Sequence, residues 1–232
     1  MPEKGVSEVL ARAPLFANLS EGEMAFLVRR AVSRQYKAGE AIFGEGEPCQ
    51  GLYVVESGRI KVFKMSAGGR EQVLAIDGPG ASVAELPVFD DGAYPASATA
   101  ITDARLVFVS KQDFRALCLE HPEVALRVVK IVGGRLRRLV GIIEELSFTT
   151  VRHRMAALLL NLAKRSGTKT ARGVEFTLPA TQQDIAGMIG TVRELVSRNL
   201  SRLQAEEIVA VEGRTVVVPD LARLEAELES SE

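Results

Sequence analysis

The 232-residue sequence lacks tryptophan, has only two cysteines and two histidines, and carries a net charge of −1. Two cysteines are too few for a four-cysteine zinc or iron–sulfur site or for a disulfide scaffold. The two, Cys49 and Cys118, are also far apart in sequence. No apolar run reaches the ~18–20 residues that a membrane span requires. The first residues mix acidic with basic side chains and have no apolar core, so we expect no signal peptide, no membrane association and a cytoplasmic protein.

Groups for catalysis are equally scarce. His121 and His153 are the only histidines, and their separation in sequence argues against a nucleophile–base pair. The chain has no glycine-rich loop that ends in Gly-Lys-Ser/Thr and no His-Glu-x-x-His motif. We therefore expect that this protein is not an enzyme.

The near-zero net charge hides an uneven distribution. Residues 1–126 hold 13 basic and 17 acidic side chains, whereas residues 127–148 hold 5 and 2. Residues 149–218 hold 10 basic and 6 acidic side chains, and the last fourteen residues form an acidic tail. A positive segment near one end of a neutral chain is a mild indication of nucleic-acid contact.

The first half of the chain has the pattern of an antiparallel β-roll. Ten of the twenty glycines fall within residues 39–92 and separate short stretches rich in Val, Ile, Phe and Tyr. Residues 59–64 alternate basic with apolar side chains, as a strand with one buried face does. One or two further strands are predicted in residues 98–110, before a helical pattern begins at Lys111.

A long helix is predicted from Pro122 to Ser147, because no proline interrupts it and apolar residues recur at steps of three and four. The recurring residues are Val128, Ile131, Val132, Leu136, Leu139, Ile142, Ile143 and Leu146. A helix of this length needs a partner for its apolar stripe, and a second copy of the same helix would supply one. The sequence therefore predicts a homodimer.

The last third predicts a winged helix-turn-helix. A helix over residues 151–166 precedes a strand over 174–178, two helices over 181–189 and 191–207, and a hairpin that turns at Glu212-Gly213. The second helix of such a motif presents its N-terminal residues to base edges in the major groove of double-stranded DNA. The residues that we expect to contact DNA are Thr181, Thr191, Arg193, Glu194, Ser197 and Arg198.

Two of these positions have a structural interpretation as well. Thr191-x-x-Glu194 and Thr181-x-x-Asp184 both match helix capping boxes, which would occupy the same side chains without DNA. Arginine can bond guanine through two hydrogen bonds, and glutamate can accept one from the cytosine amino group. Leu195, Leu200 and Leu203 are expected to face the core.

Taken together, these segments resemble the Crp/Fnr family of bacterial transcription regulators over nearly the whole chain. The residues that carry the resemblance are the glycine-punctuated roll, the long helix and the segment QQDIAGMIGTVRELVSRNLSRL. It implies an α+β fold with a cyclic-nucleotide-binding-like roll (1–121), a long dimerisation helix and hinge (122–148) and a winged helix-turn-helix (149–232). It also implies a two-fold DNA site that contains TGA/TCA, and contact between the loop 166–173 and RNA polymerase.

The sensor departs from the family's cyclic-AMP pattern. The phosphate-binding cassette is matched at Glu85 and Ser97, but Pro95 or Ala96 stands where the arginine is expected. Cyclic-AMP-responsive relatives present a Thr-Ser pair on the long helix, and Leu139 and Val140 take those positions here. These four residues, Glu85, Ser97, Leu139 and Val140, mark the expected effector pocket, and the two losses argue against cyclic AMP.

Other effectors stay open at this stage. Haem or nitric-oxide sensing, known in other branches of the family, requires an axial ligand from Cys49, Cys118, His121 or His153. Each of these four residues also has a structural interpretation: Cys118 lies on an apolar helix face, for example. A different small or apolar effector, or no effector at all, is equally compatible with the sequence.

Overall fold

The computed structural model describes residues 2–178 and 181–229. The chain forms two compact units, one from Met1–Lys64 and Leu74–Leu139, the other from Met65–Val73 and Val140–Glu232. The division falls inside the long helix rather than at either of its ends.

The sensor half is built on two four-stranded sheets. Its strands are β1 (Val32–Tyr36), β2 (Ala41–Phe43), β3 (Gly51–Ser57), β4 (Ile60–Met65), β5 (Glu71–Asp77), β6 (Ser82–Val83), β7 (Ser97–Ala100) and β8 (Ala104–Ser110). The sheets have the orders β1-β8-β3-β6 and β2-β7-β4-β5. The pairs β1–β8, β3–β8, β2–β7 and β4–β7 are antiparallel, which confirms the predicted β-roll.

Helices cover the roll, and most of them were not predicted. They are α1 (Pro2–Arg12), a short 3-10 turn (Pro14–Phe16), α2 (Glu21–Val28), α3 (Leu86–Phe89) and α4 (Lys111–Glu120). One apolar core joins these helices to β3 and β8 through side chains such as Leu10, Phe16 and Phe114, all at most 1% exposed. A second core lies inside the roll, where the rings of Phe43 and Tyr94 stack at 4.2 Å.

The long helix α5 (Pro122–Phe148) confirms the prediction and has two apolar faces. Val124 and Val128 are buried in the core of the roll unit. A second set is left in solvent, with exposed fractions between 55% and 70%: Leu126, Val129, Leu136, Val140 and Ile143. Together with Gly133 these residues follow alternating steps of three and four, which is the spacing of a coiled-coil seam.

The C-terminal half has the order of a winged helix-turn-helix, as predicted. Its elements are α6 (Val151–Ser166), β9 (Thr168–Thr170), β10 (Gly173–Thr177), α7 (Gln182–Ile189), α8 (Arg193–Ala205), β11 (Ala210–Glu212), β12 (Thr215–Val218) and α9 (Leu221–Glu229). The strands form one sheet in the order β11-β12-β10-β9. Met155, Leu159, Val196, Leu203 and Val216 are fully buried at its centre.

Three details of this half differ from the sequence predictions. The glycine-containing loop before the predicted strand contains β9, which pairs with β10. The strand ends at Thr177, and Leu178 follows it as a core residue. The acidic tail forms the helix α9, in which Leu224 is fully buried, Glu225 and Glu229 are exposed and Glu227 is largely buried.

Helix α8 ends at Ala205, two residues before the predicted end. Glu207 has φ +54°, and the amide of Ile208 donates to the carbonyl oxygen of Leu203 at 2.9 Å. This is the left-handed helix terminus at which glycine is usual, because a side chain is strained there. The helix ends here although Glu207 is not glycine, because the burial of Ile208 and Val209 in the core keeps the chain in this conformation.

We therefore expect Glu207→Gly to raise the free energy of unfolding by about 0.5–1 kcal/mol, since the strain relieved exceeds the entropy that glycine loses on folding. Urea unfolding at fixed protein concentration measures the change. Gln204→Gly, one turn earlier inside the helix, is the matched control and should lower stability by about 0.5–1 kcal/mol. Equal destabilisation by both variants would contradict the left-handed assignment.

Candidate DNA-binding surface and effector pocket

The turn between α7 and α8 is set by one glycine. Gly190 ends α7 in the left-handed conformation, with φ +65° and ψ +48°, and its amide donates to the carbonyl oxygen of Ala186. A Cβ at this position would lie 2.3 Å from the side chain of Leu146, so no other residue fits without movement. Because α7 ends at Ile189 and α8 begins at Arg193, only three residues separate the two helices, as a helix-turn-helix requires.

Helix α8 has one buried and one exposed face. Val196, Leu200 and Leu203 pack into the core, at 0%, 4% and 0% exposed. Arg193, Glu194, Ser197 and Arg198 are exposed on the first turn and a half. The expectation that Leu195 faces the core is wrong, because Val196 occupies the buried stripe and Leu195 is only half-buried.

The two predicted capping boxes have different outcomes. Thr181 caps α7: its Oγ1 accepts from the amide of Asp184 at 3.2 Å, and its own amide donates to Asp184 Oδ2 at 3.1 Å. The box at Thr191 and Glu194 is wrong, since Val192 is the N-cap of α8 and makes no side-chain cap bond. Glu194 is therefore not engaged in a cap. Thr191 is 5% exposed, so its side chain offers little accessible surface for a DNA contact.

Arg154 on α6 anchors this motif and was missed by the sequence reasoning. Its Nε donates to the carbonyl oxygen of Ile189 at 2.7 Å, and its Nη1 donates to those of Thr149 at 2.6 Å and Glu145 at 3.2 Å. Burial lowers the pKa of Arg154, and the carbonyl oxygens satisfy its charge. The residue thereby ties the end of α7 to the end of α5.

The charges around α8 leave its arginines available. The acidic residues of α9 pair with α6, where Glu227 contacts Arg152 at 2.5 Å and Glu225 contacts Lys164 at 2.7 Å. Within residues 2–178 and 181–229, Arg193 and Arg198 form no ion pair or hydrogen bond, so both guanidinium groups can bind an external anion or base edge.

The sensor unit contains a pocket of about 280 Å³ at the predicted place. Its lining is mostly apolar, with Val62, Leu86, Pro95 and Ala96 from the roll and Val132, Leu136 and Leu139 from α5. Glu85 also lines it, together with Arg135 and Arg138. A largely apolar wall with a few polar groups is typical of a small-molecule site.

Glu85 is 1% exposed and is already paired. Its Oε2 lies 2.9 Å from Nη1 of Arg135 on α5, and the hydroxyl of Ser82 donates to its Oε1 at 2.5 Å. Arg135 also donates to the backbone carbonyl of Ser82. The buried carboxylate and this arginine neutralise each other, so Arg135 has little charge left for a ligand.

The backbone before Glu85 is strained. Ala84 has φ +67°, which lies in the left-handed region that favours glycine. This conformation costs an L-residue about 1–2 kcal/mol. Such strain persists only where surrounding contacts hold it, and here it turns the Glu85 side chain towards Arg135.

Two of the predicted pocket residues lie outside the lining. Ser97 Oγ accepts from the amide of Glu45 at 3.0 Å, and Val140 is 55% exposed. Glu85 and Leu139 do line the pocket, as do both residues that replace the expected arginine, Pro95 and Ala96. The hydroxyl of the neighbouring Tyr94 is engaged with the backbone of Gln50 and Gly51.

Comparison with known proteins agrees with this architecture. A model of the cyclic nucleotide-binding domain matches residues 33–121, and one of the Crp-like helix-turn-helix domain matches residues 153–227. A CRP-like cAMP-activated global transcriptional regulator of Mycobacterium tuberculosis is 34% identical over 219 residues, which is 94% of this chain and 98% of that protein.

The chain belongs to the Crp/Fnr family of bacterial transcription regulators.

Two other Crp/Fnr relatives extend the comparison. The cyclic AMP receptor protein of Thermus thermophilus is 34% identical over 213 residues, 92% of this chain and 95% of that protein. A CooA mutant from Carboxydothermus hydrogenoformans has 25% identity and a TM-score of 0.71 over 90% of this chain and 91% of that one.

Membership of the Crp/Fnr family settles the class of activity. Regulators of this family bind DNA through their helix-turn-helix and typically dimerise, and the M. tuberculosis relative is by name a transcriptional regulator. Among the helices of the described residues, none is long and apolar enough to cross a membrane.

Proposed function

We propose that this protein is a homodimeric, cytoplasmic regulator that binds a two-fold, TGA/TCA-containing DNA site and whose sensor has lost the cyclic-AMP pattern. The observation that carries the DNA part is the exposed, unpaired set Arg193, Glu194, Ser197 and Arg198 at the start of α8. In this position, side chains of a recognition helix enter the major groove.

The residue types suit the proposed half-site. Arg193 and Arg198 can each donate two hydrogen bonds to a guanine, and Glu194 can accept one from a cytosine amino group. Ser197 can bond either partner of a base pair. Thr181, at the N-terminus of α7, is placed to contact a phosphate in addition to capping its helix, because helix N-termini bind anions.

The homodimer rests on the outer face of α5. Its exposed apolar residues have coiled-coil spacing, and a second copy of the helix is the partner that buries all of them at once. A two-fold dimer presents two copies of α8 to two half-sites, which explains the palindromic site. RNA polymerase stays a proposed partner of residues 166–173, by family resemblance alone, and residues 166–172 of this segment are exposed.

Selection of bound duplexes from a random pool should return a two-fold site with TGA and TCA half-sites. Arg193→Ala should then cost about 1–3 kcal/mol of binding free energy and relax specificity at one base pair in each half-site. Arg202→Ala, on the last turn of the same helix, is the control and should leave the base preference unchanged.

Failure to recover a consensus would overturn the proposed function. Equal weakening by Arg193→Ala on all sequences would assign Arg193 to a phosphate rather than a base.

The altered sensor is supported by the pocket. A cyclic phosphate forms charge-assisted hydrogen bonds, each contributing roughly 1.5–3 kcal/mol. Pro95 and Ala96 offer no cation to it, and Arg135 is bound to Glu85. The pocket wall suits a small, mostly apolar effector better than a nucleotide.

Cyclic AMP remains the second candidate because the M. tuberculosis and T. thermophilus relatives are named for it and are both 34% identical to this chain. Haem has weaker support: burial raises the pKa of Cys118 to about 11 and also raises that of Cys49, which disfavours the thiolate that would coordinate iron.

Titration calorimetry with cyclic AMP should show no saturable binding at micromolar concentrations, because neither Pro95 nor Ala96 supplies the arginine of the family pattern and Arg135 is paired with Glu85. An absorption spectrum after haem addition should show no Soret shift. Saturable micromolar binding of cyclic AMP, or a shifted haem spectrum, would replace the proposed sensor with the corresponding alternative.

A further inference from the structure

Three side chains that can ligate a metal ion meet in the sensor unit, and none of them lines the pocket. Nδ1 of His121 lies 2.5 Å from Oε1 of Glu23 and 3.8 Å from Oε1 of Glu123. All three ligand atoms lie within 4.8 Å of one another. Glu23 is on α2, whereas His121 and Glu123 flank the junction of α4 and α5, so nearly a hundred residues separate the two sides.

The donor set has the chemistry of a divalent transition-metal site. Imidazole nitrogen favours zinc, copper and nickel over magnesium and calcium, and carboxylates add negative charge. Zinc binds nitrogen and oxygen at about 2.0–2.2 Å, so tetrahedral ligand atoms lie about 3.4 Å apart. The distances of 2.5 and 3.8 Å from His121 Nδ1 bracket that value, and the two carboxylate oxygens lie within 4.8 Å of each other, so side-chain adjustment is needed to place all three around one ion.

The backbone already orients these ligands. Glu23 belongs to the capping box of α2, in which its Oε2 accepts from the amide of Ser20 and Oε1 is left to face His121. His121 ends α4, with its amide bonded to the carbonyl oxygen of Leu117. Hydrogen-bonded carboxylates of this kind are typical of metal ligands, because their orientation is fixed before the metal binds.

Charge and access also suit a cation. Glu23 and Glu123 each offer a carboxylate oxygen to a cation. The side chains of Glu23, His121 and Glu123 are 17%, 28% and 52% exposed, which leaves a path from solvent. A divalent ion would balance the two carboxylates, with water completing its coordination.

We propose that Glu23, His121 and Glu123 form a binding site for a divalent transition-metal ion, with zinc as the best match. Binding would replace the contact between His121 Nδ1 and Glu23 Oε1 with two metal bonds, and any proton on Nδ1 would move to Nε2 or to solvent. The ion would link α2 to the first turn of α5, the helix whose exposed apolar face is the proposed dimer interface. The proposal does not depend on the identity of the effector.

Titration calorimetry of the full-length protein with zinc chloride tests the site, with thermal unfolding measured in parallel. We expect saturable one-to-one binding at micromolar zinc and a higher unfolding temperature, because the ion binds only the folded chain. Glu123→Gln changes an exposed side chain, so it should leave the fold intact and weaken zinc binding at least tenfold. His121→Gln should weaken it further.

His153→Gln and Cys49→Ser are the matched controls, since they remove the other histidine and the more accessible thiol. Both should bind zinc as the unaltered protein does. Absence of saturable binding, or binding that survives His121→Gln but is lost in either control, would overturn the proposal. In that case Glu23, His121 and Glu123 form only an ion-pair cluster.

Discussion

The structure depends most on helix α5, whose two apolar faces must both be covered. One face is buried within the sensor unit through Val124 and Val128, which fixes the helix on the roll. The other face exposes Leu126, Val129, Leu136, Val140 and Ile143 to solvent. Exposed apolar area of this extent is costly in water and marks an interaction surface. This exposed face is the observation that supports the proposed dimer, in which the same face of a second copy would cover it.

The sensor pocket and the dimer seam share this helix. Arg135 on α5 forms an ion pair with the buried carboxylate of Glu85. Removing either partner of such a pair lowers stability, because the other charge stays buried without a partner. Leu136 belongs both to the pocket wall and to the exposed seam. A ligand that moves α5 against the roll would thus alter the surface on which a second copy packs. In the winged helix, Arg154 makes the corresponding connection between the end of α5 and the end of α7.

Sequence reasoning predicted the periodic elements well and the individual contacts poorly. The β-roll, α5, α6 and the helix-turn-helix follow from alternation, helical spacing and glycine positions. The sequence prediction omitted α1 and α9 although both are amphipathic, with Leu221, Leu224 and Leu228 at helical spacing in α9. Both helices are short, and the acidic composition of the last segment masked the buried Leu224. Ser20-x-x-Glu23 was a detectable signal for α2. The wrong capping box at Thr191 shows that a four-residue pattern cannot fix a helix start when the preceding Gly190 sets the turn. The sequence does not indicate the roles of Arg135 and Arg154. An arginine on an amphipathic helix is usually solvated, and only tertiary packing determines which carboxylate or carbonyl oxygens it contacts.

Sedimentation analysis of the protein with and without a selected duplex tests the central claim, that the outer face of α5 pairs two copies so that two α8 helices read two half-sites. We expect two 25.1 kDa chains per particle in both states, with the mass of one duplex added in the second. We also expect that Val129→Glu, in the seam, dissociates the dimer, whereas Lys130→Glu, at the adjacent exposed position, leaves it intact. A single chain per duplex, or a Val129→Glu protein that remains dimeric, would contradict the claim.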